Sequence, residues 1–254
     1  MPTASPTPTH PDGAPASGQA AQELYDARYF DAELHRDHWF KNNAAKRARR
    51  WEAVRTMLDL RRTDRVLEIG CATGEHAVRI AAEAREVVGI DLAPAAIERA
   101  RRRAAERAID NVVFETADAA DLGRWPSASF DKVAAIDFVE HVDDATLAAI
   151  LGEAHRVLVA GGRLAIYTPC ATHYVEWLKA RNLLLQQTPG HIAVRPPERY
   201  RTLLADARFG DVATRFLPSD YPVFGWVDRT LVSIPWLGAW FRFRICTVAI
   251  KSTA

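Results

Sequence analysis

The run Arg65-Val66-Leu67-Glu68-Ile69-Gly70-Cys71-Ala72-Thr73-Gly74-Glu75-His76 constrains the fold more tightly than any other part of the chain. Arg65 to Ile69 reads as a buried strand, the glycines as a tight turn, and Glu75 onward as the start of a helix. Neither Gly70 nor Gly74 carries a Cβ, so the backbone there turns sharply and a ligand can approach it closely. A second strand-like run, Glu86-Val87-Val88-Gly89-Ile90-Asp91, follows and closes on an acid. Asp91 stands about 20 residues beyond the turn, a spacing at which an acid hydrogen-bonds both hydroxyls of a ribose. The combination predicts a nucleoside ligand on the rim of a parallel sheet.

The identity of that nucleoside is narrowed by what the turn lacks. A dinucleotide fingerprint needs G-x-G-x-x-G, with glycines that admit a pyrophosphate, and a P-loop needs Gly-Lys-Ser/Thr. Here the pattern is Glu68-x-Gly70-x-Ala72-x-Gly74, followed by Glu75. Acids on both sides of the turn argue against a phosphate and tolerate a cation. The pattern resembles motif I of the class I S-adenosylmethionine (SAM) dependent methyltransferases, E/D-x-G-x-G-x-G, with Ala72 at the middle glycine. The resemblance continues in order and spacing to about Thr168. Asn111 to Ala119 resembles the family's third strand and its terminal acid. Ser129-Phe130-Asp131-Lys132-Val133 resembles its fourth strand, and Phe138-Val139-Glu140-His141-Val142 the continuation. Leu158 to Ile166 resembles "LkPGG-x-l-x-i", with Ala160 where proline is usual.

This resemblance implies an α/β fold: a Rossmann-like, seven-stranded, mostly parallel sheet with helices on both faces and an N-terminal helical lid. It implies SAM as cofactor, with Gly70, Cys71, Ala72 and Gly74 around the aminoacyl and ribose portions and Glu68 behind them. Asp91 takes the ribose diol, Leu92 packs on adenine, Asp118 accepts from the adenine amine and the Ala119 N–H reads a ring nitrogen. Asp137 and Phe138 face the methyl side.

Composition bounds the rest. The 254 residues suit one domain with an appendage, and 48% hydrophobic residues support a sizeable core. A formal net charge of +1 gives no global case for nucleic acid or an acidic membrane surface. Cys71, Cys170 and Cys246 lack a disulfide framework or zinc spacing, which points to a reducing, cytoplasmic setting. The N-terminal sequence lacks the pattern of a secretory signal. No uncharged apolar run reaches the ~18–20 residues of a membrane span.

Along the chain, residues 1–20 are rich in Pro, Ala, Ser, Thr and Gly and read as a disordered tail. Residues 21–62 read as helices, the implied lid, with Trp51, Val54, Met57 and Leu58 on one buried face. Residues 63–254 read as the SAM-binding domain, with alternating strands and helices and an aromatic segment at 219–240. Helices are expected at Glu75–Ala84, Pro94–Arg107, Asp143–Leu158, Ala171–Gln186 and Pro197–Ala207. Strands are expected at Arg163–Tyr167, Val212–Leu217 and Phe241–Lys251, the last two as an antiparallel edge pair. Lys46-Arg47-Ala48-Arg49-Arg50 and Arg101-Arg102-Arg103 read as solvated surface clusters.

Methyl transfer is an in-line displacement by a nucleophile, and an oxygen or ammonium acceptor must also lose a proton. The candidate catalytic residues are His141, His173 and His191. Tyr174 and Arg195 are expected near the acceptor, and Tyr25, Tyr29 and Trp39 in the lid. No metal is expected: His35 and His38 flank Asp37, but no third ligand has plausible spacing. Trp226 to Trp240 reads as an acceptor-pocket wall or a homodimer contact ahead of a membrane-interface element. The leading function is methyl transfer to an O or N nucleophile of a small molecule, as in secondary metabolism, with no nucleic-acid partner. The alternatives are SAM chemistry that releases methylthioadenosine, by aminocarboxypropyl transfer or cyclisation, and a non-catalytic SAM-binding partner protein.

Overall fold

The computed structural model describes residues 44–183, 190–219 and 222–253. The expected tail (1–20) and most of the expected lid, with Tyr25, Tyr29, Trp39 and the His35–His38 pair, lie outside the described residues.

The chain forms a seven-stranded sheet in the order β3-β2-β1-β4-β5-β7-β6. Its strands are β1 Arg65–Ile69, β2 Glu86–Asp91, β3 Val112–Thr116, β4 Phe130–Ile136, β5 Leu158–Pro169, β6 Phe209–Leu217 and β7 Arg244–Lys251. β1 to β5 pair in parallel, and β7 runs antiparallel to both β5 and β6. The helices are α1 Ala44–Leu58, α2 Glu75–Ala81, α3 Pro94–Glu106, α4 Asp144–Val157, α5 Tyr174–Ala180, α6 Pro197–Asp206 and α7 Pro222–Leu231.

β1 shows no polar alternation because helices cover both faces of a parallel sheet. Leu67 and Ile69 enter an apolar cluster with Leu147, Ile150, Leu203 and Leu204 of α4 and α6. Val66 faces the opposite cluster, built with Val54, Met57 and Leu58 of α1 and the buried sides of α2 and α3. Helix ends are closed by nearby groups. Asp143 caps α4, accepting from the Thr146 N–H at 2.8 Å. Arg163 Nη1 donates to the Met57 carbonyl at the end of α1 at 3.0 Å. Pro94 opens α3, where its missing N–H costs nothing.

β5 starts earlier than expected, at Leu158, because a register shift lets Leu158 pair with Phe130 before Arg163 pairs with Lys132. Gly161, at φ 73°, makes the intervening bend. β7 starts later than expected because Gly238–Phe241 forms a 3-10 turn. The aromatic segment contains α7, which ends at Leu231, ahead of Pro235. β1 lies between β2 and β4, so the chain crosses over in opposite directions there. That reversal opens a crevice beyond the carboxyl ends of the strands, where ligands bind in open α/β sheets.

Candidate functional site

The turn after β1 occupies this crevice. Gly70 and Gly74 have φ of 66° and 74°, the left-handed region that a side chain strains. Space forbids side chains as well: a Cβ on Gly70 would overlap the Phe138 ring, and one on Gly74 would crowd Phe114 and Ala100. Ala72 also sits at positive φ, 44°, which explains physically why a glycine suits this position. The alanine costs roughly 1–2 kcal/mol there. Its backbone N–H donates to Asp91 Oδ2 at 2.9 Å, and the Ala93 N–H donates to Oδ1 at 2.9 Å. Asp91 thus ties the glycine turn to the start of α3. Burial pushes its carboxyl up, while the Ala93 and Ala72 N–H groups oppose this. Cys71 is buried and its N–H donates to the Ile90 carbonyl at 2.9 Å, so its side chain is core and only its backbone lies in the turn.

Glu68 lies beneath the turn, 2% exposed. Burial pushes its carboxyl up to about 8; the Ala77 N–H opposes this, and Asp91 and Glu75 add to it. An acid raised from 4.5 to about 8 contributes stability fully below pH 4.5 and loses it as pH rises through 8. Glu68→Gln cannot ionise and should flatten that fall. Its melting temperature should be near wild type at about pH 5 and roughly 10 °C higher at about pH 8.5, measured by calorimetry without cofactor. An equal shift at both values would remove ionisation as the cause.

The adenine end of the expected site is built from the ends of β2 and β3. Asp118 is exposed, and its Oδ1 accepts from the Ala120 N–H at 2.8 Å, which fixes the turn and leaves acceptor capacity on the carboxylate. Ala119 is buried and Leu92 half-buried. The Ala117 N–H donates to the Asp91 carbonyl at 3.1 Å, holding the two strand ends together.

Asp137, at the end of β4, is more constrained than the sequence implies. Its φ is 49°. Arg244 Nη1 lies 2.7 Å from Oδ1 and Arg50 Nη1 3.0 Å from Oδ2. Burial works against its charge, but Arg50 and Arg244 outweigh this and hold the carboxyl at about 2. Arg50 therefore corrects the expectation of a wholly solvated basic run: it turns inward to the sheet. Its spacing with Val54 and Leu58, on the stripe facing the sheet, was the available signal. Arg244 begins β7 and reaches Asp137 only through tertiary pairing, which no local pattern reveals. Arg101 and Arg103 are likewise engaged, with the Phe114 carbonyl at 2.7 Å and Thr73 Oγ1 at 3.3 Å.

Beyond Asp137, a 3-10 turn at Val139–His141 meets the segment 190–196. Glu140 is fully buried, and its Oε2 accepts from Thr168 Oγ1 at 3.0 Å. Burial pushes it up to about 8, with Asp137 adding and Arg244 opposing. Its backbone carbonyl accepts from the Ile192 and Ala193 N–H groups, both at 3.1 Å. His141 Nδ1 donates to the Gly190 carbonyl at 2.9 Å, and the His141 and His191 rings meet edge to face at 4.9 Å. His191 Nε2 lies 3.9 Å from Glu140 Oε1. Burial lowers the His191 imidazole to about 3, aided by His141, Lys179 and Arg244. Burial also lowers His141. Both rings are neutral at ordinary pH.

Arg195 is not aimed at an acceptor. It is 3% exposed and donates to Asp144, Val139 O and Val142 O, each at 2.6 Å, and to Ala193 O at 2.9 Å. It is a strut that locks the crossing segment onto the turn holding Glu140 and His141.

His173 also departs from expectation. It is fully buried, apart from the His141–His191 pair, and both nitrogens are engaged. Nδ1 accepts from the Val175 N–H at 3.2 Å, capping α5, and Nε2 donates to Asp228 Oδ1 at 3.2 Å. Asp228 Oδ2 accepts from the Ser219 N–H at 2.6 Å. This buried link fastens α7 to the sheet. Asp228→Ala should cost roughly 2 kcal/mol of stability by stranding the His173 and Ser219 donors. Urea unfolding measures it, and wild-type stability would show the link to be weak. Tyr174 packs on His173 at 4.3 Å and Phe241 at 5.5 Å, and burial pushes its phenol up to about 12. Trp226 and Trp236 are 63% and 81% exposed among the described residues.

With this geometry in place, comparison with known proteins is informative. Residues 60–208 match the family described as "Methyltransferase domain". The chain is similar to the 27-O-demethylrifamycin SV methyltransferase of Amycolatopsis mediterranei, 41% identical over 52% of this chain and 50% of that protein. It is also similar to the ubiquinone biosynthesis O-methyltransferase of Xanthomonas oryzae pv. oryzae, 34% identical over 47% of this chain and 48% of that one. The chain thus spans about half the length of these curated relatives. The YcgJ protein of Bacillus subtilis shares the fold, with a TM-score of 0.64 at 20% identity over 82% of this chain and all of that one. The glycine turn, the Asp91 clamp and the matched domain together place the chain in the class I SAM-dependent methyltransferases.

Proposed function

We propose that this chain transfers the methyl group of SAM to an oxygen nucleophile of a small molecule. The observation that carries the reading is the Glu140–His141–His191 cluster, next to Asp137 at the carboxyl end of β4 and on the same rim as the glycine turn. SAM lies across that rim, with the ribose on Asp91, adenine against Leu92 between Asp118 and Ala119, and the aminoacyl part over Gly70 to Gly74. Ionised Asp137 and the Phe138 ring border its sulfonium end. The acceptor oxygen then lies between the sulfonium methyl and the cluster.

The donor is already activated, so positioning does most of the work and contributes roughly 7–11 kcal/mol. As the O–CH3 bond forms, the S–CH3 electron pair returns to sulfur, giving neutral S-adenosylhomocysteine. The acceptor's O–H bond breaks with its electron pair kept on oxygen, and the proton passes to solvent water. Neutral imidazoles and a buried carboxyl beside that oxygen suit a hydroxyl acceptor, whereas a thiol ionises without such help. The two relatives described above are named for methylation of 27-O-demethylrifamycin SV and for O-methylation in ubiquinone biosynthesis, which supports a small biosynthetic acceptor and a secondary-metabolic setting. No helix among the described residues is long and apolar enough to cross a membrane. A cytoplasmic site of action accords with three buried, unpaired cysteines.

Mass spectrometry of the purified chain with SAM, with and without a pool of phenolic and alcoholic small molecules, tests the reading. S-adenosylhomocysteine should form only with acceptor, together with an acceptor heavier by one methylene unit. Methylthioadenosine from SAM alone would overturn it and make SAM itself the substrate.

A further inference from the structure

We propose that Glu140, His141 and His191 bind one divalent transition-metal ion of the zinc class, to which the acceptor's oxygen coordinates. The inference rests on the reading of this cluster as the acceptor site. Each residue offers a ligand atom, and the three atoms lie within 4.8 Å of one another. Zinc binds imidazole nitrogen and carboxylate oxygen at roughly 2.0–2.2 Å, so the ligands need to close in by less than about 1 Å each. Two imidazoles and one carboxylate suit zinc and its first-row neighbours, whereas magnesium and calcium prefer all-oxygen sets.

An unsatisfied atom points to the same place. Glu140 is fully buried, yet its Oε1, the oxygen facing His191, has no hydrogen-bond partner among the described residues. A lone pair so placed is costly unless a cation or donor meets it.

The surroundings supply the orientation that metal ligands need. A metal-ligating histidine usually donates its other N–H to a carbonyl or carboxylate. His141 does this through Nδ1 to the Gly190 carbonyl at 2.9 Å. Thr168 holds the second oxygen of Glu140 at 3.0 Å. Arg195 and the Glu140 carbonyl fix the 190–196 segment against the 3-10 turn, so both halves of the site are set before an ion arrives. A site with three protein ligands leaves a coordination position open, as catalytic zinc sites do. There the ion acts as a Lewis acid on the acceptor hydroxyl. The O–H bond breaks, its proton goes to solvent water, and the metal-held oxygen attacks the methyl carbon. The S–CH3 bond pair goes to sulfur, and no oxidant or reductant is involved.

The test uses the full chain, stripped with a chelator and dialysed against Zn2+ alone. Mass-spectrometric metal analysis should find about one ion per chain, and Co2+ in its place should give visible d–d absorption. His191→Ala lies in a loop and should fold, as circular dichroism checks. It should lose metal affinity by roughly tenfold or more while SAM affinity by calorimetry changes little. Glu140→Gln should do the same if it folds. Wild-type protein that takes up no stoichiometric ion, or His191→Ala that binds it as tightly as wild type, would overturn the proposal. Stripped enzyme that methylates its acceptor at the full rate would also overturn it and leave the methyl-transfer reading intact. Stoichiometric metal without methyl transfer would sink that reading and keep the site.

Discussion

Asp91→Ala is expected to weaken SAM binding by two to three orders of magnitude, roughly 2.7–4 kcal/mol. The size follows from the two jobs of this carboxylate. It holds the cofactor rim together, accepting from Ala72 N–H and Ala93 N–H at 2.9 Å each. In the proposed binding mode it also has acceptor capacity for the ribose, because a carboxylate offers about four acceptor positions and backbone N–H groups of Ala93, Ala72 and Leu92 meet it from the loop side. Alanine strands these backbone donors and removes the proposed ribose contact. Asp91→Asn separates the jobs. One of its oxygens becomes an NH2 that faces a backbone N–H, so the loop loosens while one acceptor persists, and the loss should be intermediate. Calorimetric titration with SAM and with S-adenosylhomocysteine reads both variants. Unchanged affinity in Asp91→Ala would remove this residue from the cofactor site.

The position of Asp91 at a strand end beside the glycine turn was legible before folding, because it is local in sequence. The same holds for the parallel sheet, whose strands announce themselves as unbroken apolar runs, and for the antiparallel β6–β7 edge. Legibility fails where function depends on partners from distant segments. The Asp137 pair with Arg50 and Arg244 joins the first described helix, β4 and the last strand. Composition makes such arginines look like solvated charge. His173 and Arg195 failed in the opposite direction. Histidine and arginine near a rim read as chemistry, but here burial forces them to satisfy backbone and carboxylate groups instead. In the sequence Glu140 stands only as part of the Phe138–Val142 motif. Nothing in its neighbours tells that Thr168 and His191 converge on it, since those contacts span 28 residues to Thr168 and a crossing segment to His191.

Gly70→Ala tests whether the turn's geometry or its mere flexibility matters. At φ 66° an alanine costs roughly 1–2 kcal/mol of backbone strain. Its Cβ would also overlap the Phe138 ring, and forced repacking typically costs about 1–3 kcal/mol more. A total near 3 kcal/mol should lower the melting temperature by roughly 6–12 °C. The two components are separable, because Phe138→Ala removes the obstacle but leaves the dihedral angle. In the Phe138→Ala background, Gly70→Ala should therefore cost only the backbone part, and the double mutant should be more stable than additivity predicts by about 1–2 kcal/mol. Strict additivity would mean that the ring moves aside freely and that close packing of Phe138 on Gly70 does not shape this rim. Strong coupling would mean that one contact sets both the turn after β1 and the residue after Asp137. The cofactor's glycine loop and the acceptor side of the crevice would then be built as a single unit.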